Sequence, residues 1–380
     1  MLRGRNGKQI IANIDRLNRL MDEAGLDAVV VRGGQNVTWL AGVSFHGTLS
    51  RHLDLAASSR GVAVIWPRNN KPVFVLEVTA AGPAERDSWI EHFEVFSGYQ
   101  EPLFDRVART LSDLKLDRAA VGFDKNFVGA GYWDDIARKL PDMKMHDCGA
   151  LMDRARLIKT PEEVAKFRAG ATLLDAAFAE VLPTIRAGEL EREVHARIIA
   201  ACLRRGAEFA HGILNSERNP AIYCGESDFA FVRGDIVRTD YLAYLDGYPG
   251  HQSRTAVIGP PSQAQLADYE KYHALYLATA DRLRPGVSVG ELYDFVVGAF
   301  AKVGWTYTAG LVGHSVGAWW HQQEPIFCRG GRDVLEPGMV VALEPYLAHW
   351  HLQDLFLITE GAPELLSPDL DTRSMLVAGA

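Results

Sequence analysis

With 380 residues, the chain is long enough for two domains, each with its own core. Apolar residues make up 48% and charged residues 23%, ordinary globular values that exclude a disordered chain. A net charge of −8, with Lys and Arg gathered only in a short cluster near residues 3–8, excludes a nucleic-acid footprint. No run of about 18 apolar residues is present to span a membrane.

The N-terminal stretch MLRGRNGKQI has no apolar core of signal-peptide length. Ile11, Ile14, Leu17, Leu20 and Met21 recur at three- and four-residue steps, the period of an amphipathic helix ending near Gly25. LDAVVVRG follows as a short apolar strand, and GVAVIWP and KPVFVLEV read as two strands joined by Arg68-Asn69-Asn70. A helix-strand pair, LFDRVARTLSDL and AAVGFD, completes a small α/β domain assigned to residues 1–152. A second domain, residues 153–380, opens in MDRARLIKTPEEVAKFRAG. There Thr160 can cap a helix, Pro161 fits its first position and Glu163 completes a capping box. That helix is expected to reach about residue 183, with others over about 189–205, 262–284 and 288–303. Strand pairs lie between and after them, so the second domain is α+β, helices around an antiparallel sheet. Cys148, Cys202, Cys224 and Cys328 are scattered without a C-x-x-C pair and read as reduced thiols, with the cytoplasm as the expected compartment.

The chemistry-bearing residues lie in the strand pairs. In IVRTDYLAYLDGYPGHQSRTAVIG, Asp246-Gly247 is a two-residue hairpin turn signal. With that turn Leu242 faces His251, and Asp240 becomes a diagonal neighbour of His251, within ~7–8 Å at the backbone. Pairing VVALEPYL with HLQDLFLI around Ala348-His349 sets Glu344 opposite Gln353. His314 comes from GHSVG, where glycines permit close backbone approach. Among these five positions only Asp240 and Glu344 are anionic, which balances one divalent ion and leaves two badly undercompensated. His251, His314 and Glu344 could form a two-His, one-carboxylate set, with Asp240 as fourth ligand or base. Gln353 offers a neutral oxygen, and His351, two residues earlier on the same face, is a substitute donor.

The order of Asp240, His251, His314, Glu344 and Gln353 resembles the pita-bread hydrolases: prolidase, aminopeptidase P, methionine aminopeptidase and creatinase. In the metal-dependent members the ligands run Asp, Asp, His, Glu, Glu. Here His251 stands for the second Asp and Gln353 for the last Glu. The similarity covers nearly the whole chain, with LEPGMVVALEP and GHSVG its most specific stretches; GHSVG is closer to creatinase than to the GHGIG of prolidase. RLNRLMDEAGLDAVVVRGGQNVTWLAGV looks like the N-terminal domain these enzymes share.

The resemblance implies a C-terminal pita-bread domain preceded by a smaller creatinase-type α/β domain. It implies a homodimer in which His46, Arg51 and His52 reach toward the partner's site, and no nucleic-acid or membrane partner. The activity it implies is hydrolysis of an amide-type C–N bond in a small-molecule substrate, with one divalent ion (Zn, Mn or Fe) or none. His314, Glu344, Asp240 and His321 would be catalytic. In the metal-free form His314 and Glu344 would be the acid-base pair. His321, seven residues after His314, matches a second histidine that contacts substrate in the family. Tyr223 stands where the family usually places a histidine. Tyr223, His321, Trp320 and Arg329 are the expected substrate-binding residues, Trp319 equally a packing residue, and Arg254 a structural ion-pair partner. Two other readings stand beside this one: a metal-dependent Xaa-Pro dipeptidase, and a catalytically inactive peptide- or protein-binding module. Lyase chemistry is also known in the family.

Overall fold

The computed structural model describes residues 8–53 and 59–379, so Arg3 and Arg5 of the basic cluster lie outside it. The chain divides into two compact units, Met1–Thr160 with Ala318–Trp320, and Pro161–Gly317 with His321–Ala380.

In the first unit the helices are α1 (Ile14–Ala24), α2 (Gly34–Ala41), α3 (Gly47–Leu53), α4 (Val78–Asp87), α5 (Leu103–Asp113), α6 (Ala130–Lys139) and α7 (Gly149–Leu157). The strands are β1 (Ala28–Val31), β2 (Val62–Pro67), β3 (Val73–Glu77), β4 (His92–Phe96), β5 (Ala120–Phe123) and β6 (Lys144–Asp147). They form one sheet in the order β4-β3-β2-β1-β5-β6, antiparallel only at β1–β2 and β2–β3. The fully apolar runs of β1 to β3 are buried throughout, as strands covered on both faces must be. The division falls at Thr160–Pro161, later than the 152/153 division read from sequence, because α7 packs on α1 and so stays with the first core.

The second unit opens with α8 (Pro161–Val181) and α9 (Glu191–Arg204) and later adds α10 (Gln263–Ala280) and α11 (Val289–Lys302). One sheet holds β7 (Phe209–Ser216), β8 (Ile236–Leu245), β9 (Tyr248–Gln252), β10 (Thr255–Ile258) and the C-terminal β16 (Leu376–Ala378), ordered β16-β10-β8-β7 with β9 also on β8. The other holds β11 (Leu311–Ser315), β12 (Gln323–Cys328), β13 (Val340–Leu343), β14 (Asp354–Leu357) and β15 (Glu364–Leu365), ordered β12-β11-β13-β14-β15. The two sheets touch through a bridge between Ser253 and Gln353. The expected α+β architecture is therefore observed.

Two features set the position of the site. At Gly170 and Gly250, α8 lies so close to β9 that a Cβ on Gly250 would stand 2.2 Å from the Gly170 carbonyl oxygen. Only glycine at both positions lets that helix lie directly on the strand. Beside this contact the buried Arg254 guanidinium bonds Asp175 of α8 and Asp354 of β14, each at 2.8 Å, and donates to the Ser253 and Gln353 carbonyls at 2.9 Å. Tyr276 of α10 donates to Asp354 at 2.6 Å and closes the network. Arg254 is thus the structural ion-pair partner expected, and it locks β9 and β14 together where Gln353 leaves the strand.

Candidate active site

The β8–β9 hairpin has the register read from sequence. Leu242 faces His251 and Leu245 faces Tyr248. Asp246 and Gly247 both take positive φ (49° and 79°), the primed turn that matches strand twist. Asp240 and His251 consequently meet, with Oδ1 to Nε2 at 3.1 Å. The second pairing also holds. Leu343 faces Asp354 and Leu347 bridges Trp350, a register that continues to Glu344 opposite Gln353. The turn has no glycine, and Ala348 itself adopts φ 53°. His314 of β11 lies beside β13, opposite Ala342, with its Nε2 3.4 Å from Glu344 Oε1.

Five imidazoles surround the two carboxylates. His251 lies 4.7 Å from His321 and 5.4 Å from His314, ring centre to ring centre, and His321 is 6.2 Å from His211 of β7. His351, fully buried, has its Nε2 3.6 Å from Glu344 Oε2. Sequence reasoning missed His211. It faces Leu242 across β7–β8, and so shares the Asp240 face, but the pairing of β7 is not written in its own sequence. It also missed Arg238. That residue precedes Asp240 by two on β8, is 8% exposed, donates from Nε to His351 Nδ1 at 3.2 Å and stacks over the Tyr346 ring at 5.1 Å.

Hydrogen-bond directions fix the proton positions. His314 Nδ1 donates to the Ser315 carbonyl at 2.9 Å, so its Nε2 carries the lone pair that faces Glu344. His351 Nδ1 accepts from Arg238, so its proton sits on Nε2 and points at Glu344 and Asp240. The Gln353 amide nitrogen lies 3.2 Å from His251 Nδ1 and 3.1 Å from its Nε2, its oxygen accepts from Ser253 at 2.9 Å, and His251 Nε2 lies 3.1 Å from Asp240 Oδ1.

Burial and the facing Asp240 charge push Glu344 well above the usual carboxylate range, and Arg238 offsets only part of this. Burial acts on Asp240 in the same sense, but the hydrogen bond and charge of His251 outweigh it and hold Asp240 well below. Burial, followed by the neighbouring His251, lowers His314 to about 3 and His321 to about 2. Burial and then Arg238 lower His351 to about 3. The resting site therefore holds one carboxylate, one carboxylic acid, one guanidinium and uncharged His314, His321 and His351.

The expected pocket residues are distributed unevenly. The Tyr223 ring is 81% exposed, while its hydroxyl is raised by burial and by Asp240 and Glu344. Arg329 is exposed and lies over the Tyr293 ring of α11 at 5.7 Å. It follows Cys328, which pairs with Leu311 at the end of β11–β12 away from His314, and its guanidinium lies against α11. Trp320, 43% exposed, groups with the first unit, as does Trp319, which stacks on His46 at 6.4 Å. Arg51 is exposed, and His52 Nδ1 is 3.4 Å from Arg60.

Comparison with known proteins places this geometry. The model of metallopeptidase family M24 matches residues 165–360, and that of the creatinase/prolidase N-terminal domain matches residues 13–158. The chain belongs to metallopeptidase family M24. The uncharacterized peptidase YqhT of Bacillus subtilis is 24% identical, over 87% of this chain and 89% of its own. The Xaa-Pro dipeptidase of Lactobacillus helveticus is also 24% identical, over 88% and 89%. Among solved structures, the Xaa-Pro dipeptidase from Bacillus anthracis superposes with a TM-score of 0.78 at 21% identity, covering 96% of this chain and 99% of that one. The X-Pro aminopeptidase from Thermotoga maritima gives 0.79 at 20%, with the same coverage. Family membership places the chain among hydrolases of C–N bonds.

M24 membership implies divalent metal, and the residues can be tested against it. Among the described residues, the group whose donor atoms all lie within 4.8 Å of one another is Asp240, Glu344 and His351. The expected set of His251, His314 and Glu344 is not such a group; His251 is tied to Asp240 and Gln353, and His314 to Glu344. Asp240 and Glu344 together carry at most two negative charges, which balances one divalent ion and not two. One ion on Asp240, Glu344 and His351 meets a proton on His351 Nε2, fixed there by Arg238, and a guanidinium directly behind it. Gln353 has committed its oxygen to Ser253. Asp240, Glu344 and His351 are thus the donors that could hold one divalent ion, with the Arg238 guanidinium behind His351.

Proposed function

We propose that this protein hydrolyses an amide-type C–N bond in a small molecule by proton transfer between side chains. The observation that carries this reading is the Arg238 Nε bond to His351 Nδ1, which turns a would-be ligand into an N–H donor. With Arg238 and His251 facing Asp240 and Glu344, this reading needs no further cation, since uncompensated buried charge is expensive.

In the proposed reaction, water attacks the carbonyl carbon and gives a proton to His314 Nε2. The protonated Glu344 carboxyl donates to the leaving nitrogen as the C–N bond breaks. The proton on His314 then returns to Glu344 across their 3.4 Å separation, restoring both groups. His351 Nε2–H, buried and without a hydrogen-bond partner, is placed to stabilise oxyanion charge between Glu344 and Asp240. His321, in contact with His251 and His314, orients substrate, and Asp240 holds the His251 tautomer. Tyr223 stands at the exposed side.

A second reading is a metal-dependent Xaa-Pro dipeptidase. The likeness to the Xaa-Pro dipeptidases of Lactobacillus helveticus and Bacillus anthracis and the Asp240–Glu344–His351 cluster favour it. Turnover of N-acyl amino acids and cyclic amides, set against Xaa-Pro dipeptides with added manganese, separates the two. Chelator-insensitive turnover of the former supports the first reading, and manganese-dependent turnover of the dipeptides alone refutes it. A homodimer, a reducing cytoplasmic location and the reach of His46, Arg51 and His52 toward a partner remain part of the proposal. No helix among the described residues is long and apolar enough to cross a membrane.

A further inference from the structure

We propose that a cavity beside the C-terminal segment of the second unit binds a small aliphatic amine in its ammonium form. The claim is independent of the proposed hydrolysis, and none of the residues lining the cavity belongs to the active site.

The cavity, of about 390 Å³, lies between α10 and the segment 365–373, and its size is within the range of small-molecule sites. Leu277 of α10, Leu365 of β15, Pro368 and Leu370 give it apolar walls. Leu277 and Leu365 are large apolar side chains left 49% and 36% exposed there.

Two buried acceptors in the lining are not fully used. The Asp354 carboxylate, 4% exposed, accepts from Arg254 and Ser367 on Oδ1, at 2.8 and 2.7 Å, but only from Tyr276 on Oδ2, at 2.6 Å. A carboxylate oxygen accepts two hydrogen bonds, so Oδ2 keeps a lone pair. His273 is 9% exposed, and its ring nitrogens have a single contact, Nε2 to Thr372 Oγ1 at 3.5 Å. With the Nε2 proton given to that hydroxyl, the Nδ1 lone pair has no donor among the described residues. Burial lowers the His273 pKa against the pull of Asp371 and Asp354, so the ring is uncharged and does not repel a cation.

Charge selects the ligand. Of the charged residues lining the cavity, Arg373 is folded onto Asp371 at 2.9 and 3.0 Å with its side chain 85% exposed, and that pair cancels at the rim. Behind Asp354 the single Arg254 guanidinium is shared with Asp175. One negative charge is left over, at the buried end of an apolar cleft. An anion is repelled there, and an alcohol leaves the charge unanswered. An ammonium brings three donors on an apolar stem.

Isothermal titration of the whole protein at neutral pH with butylamine, hexylamine, 1-hexanol and hexanoate tests this. Hexylamine is expected to bind at least about ten-fold tighter than 1-hexanol, the worth of a charge-assisted hydrogen bond to a buried carboxylate, with hexanoate weaker still. Its two extra methylenes should make it tighter than butylamine by up to about fifteen-fold, from about 0.8 kcal/mol per buried methylene. Leu277→Trp, which fills the cavity from an exposed position, is expected to abolish binding. His273→Phe should weaken hexylamine about five-fold and leave 1-hexanol unchanged. Equal affinity for hexylamine and 1-hexanol, hexanoate binding as tightly as the amine, no binding of either amine, or amine binding unaltered in Leu277→Trp each overturns the proposal. Should Leu277→Trp not fold, His273→Phe decides, and an unchanged amine-to-alcohol ratio in it overturns the proposal.

Discussion

Replacing Glu344 by Gln should make the protein more stable while removing its activity. Glu344 is 7% exposed and is held protonated by burial beside Asp240. An unfolded Glu ionises near pH 4.5. Keeping the folded carboxyl protonated therefore costs about 1.4 kcal/mol for each pH unit above that value, up to the folded-state pKa. At pH 6 the cost is at most about 2 kcal/mol, and at pH 5 under 1 kcal/mol. The Gln amide has the same shape, carries no charge at any pH, and can still donate to His314. For a unit of this size, 1 kcal/mol is roughly 2 °C in Tm, so a rise of up to about 4 °C at pH 6 should shrink toward zero near pH 4.5. Activity should fall about 10²–10⁴-fold, the usual worth of a general acid. Scanning calorimetry of both proteins from pH 4.5 to 7 measures the effect. A lower Tm for Glu344→Gln at pH 6 would show that Glu344 is a charged, cation-held carboxylate and refute the proton placement.

Arg254→Met leaves Asp175 and Asp354 buried without their cation and should destabilise the second unit by about 3–5 kcal/mol, read as a lower denaturant midpoint. Gly250→Ala drives a Cβ to 2.2 Å from the Gly170 carbonyl oxygen. It should cost about 1–3 kcal/mol, and activity should drop as well because the adjacent His251 moves with the strand. Acid should destabilise the protein ahead of ordinary carboxylate titration. His314, His321 and His351 protonate at about 3 or about 2 when folded and near 6.5 when unfolded, so between these values the unfolded chain holds three extra protons at this site. The Glu344 proton, bound only in the folded state above pH 4.5, cancels one of them. Stability should thus fall by about 3 kcal/mol per unit as pH drops from 6.5 to 4.5, measurable as a denaturation midpoint against pH. A flat profile over that range would contradict the assigned charges.

Much of this site was readable from one sequence because its partners are near neighbours in hairpins. Asp246-Gly247 fixed one register, and period-2 alternation then brought Asp240 to His251. The Ala348-His349 turn gave the right register without a glycine, since the hydrophobic pattern of β13 and β14 leaves one alignment that buries both. What escaped depends on contacts distant in sequence. Arg238 reads as one more charged residue in a strand until His351, 113 positions later, is found at its Nε. The same holds for His211, whose facing strand had to be known first. The metal set expected from sequence, His251, His314 and Glu344 with Asp240, differs from the Asp240, Glu344 and His351 group that the structure gathers within 4.8 Å, because that gathering depends on how two sheets meet. Arg329, expected at the substrate from its polar loop, lies over the Tyr293 ring, a contact no local pattern announces.

The most direct test is metal content and activity measured on one preparation. The purified protein, screened for turnover of N-acyl amino acids, should carry well under one equivalent of Zn, Mn or Fe and keep its rate after dialysis against a strong chelator. Stoichiometric metal, with activity lost on chelation and regained on adding the ion, would contradict the proposal that Arg238 has taken the place of the cation.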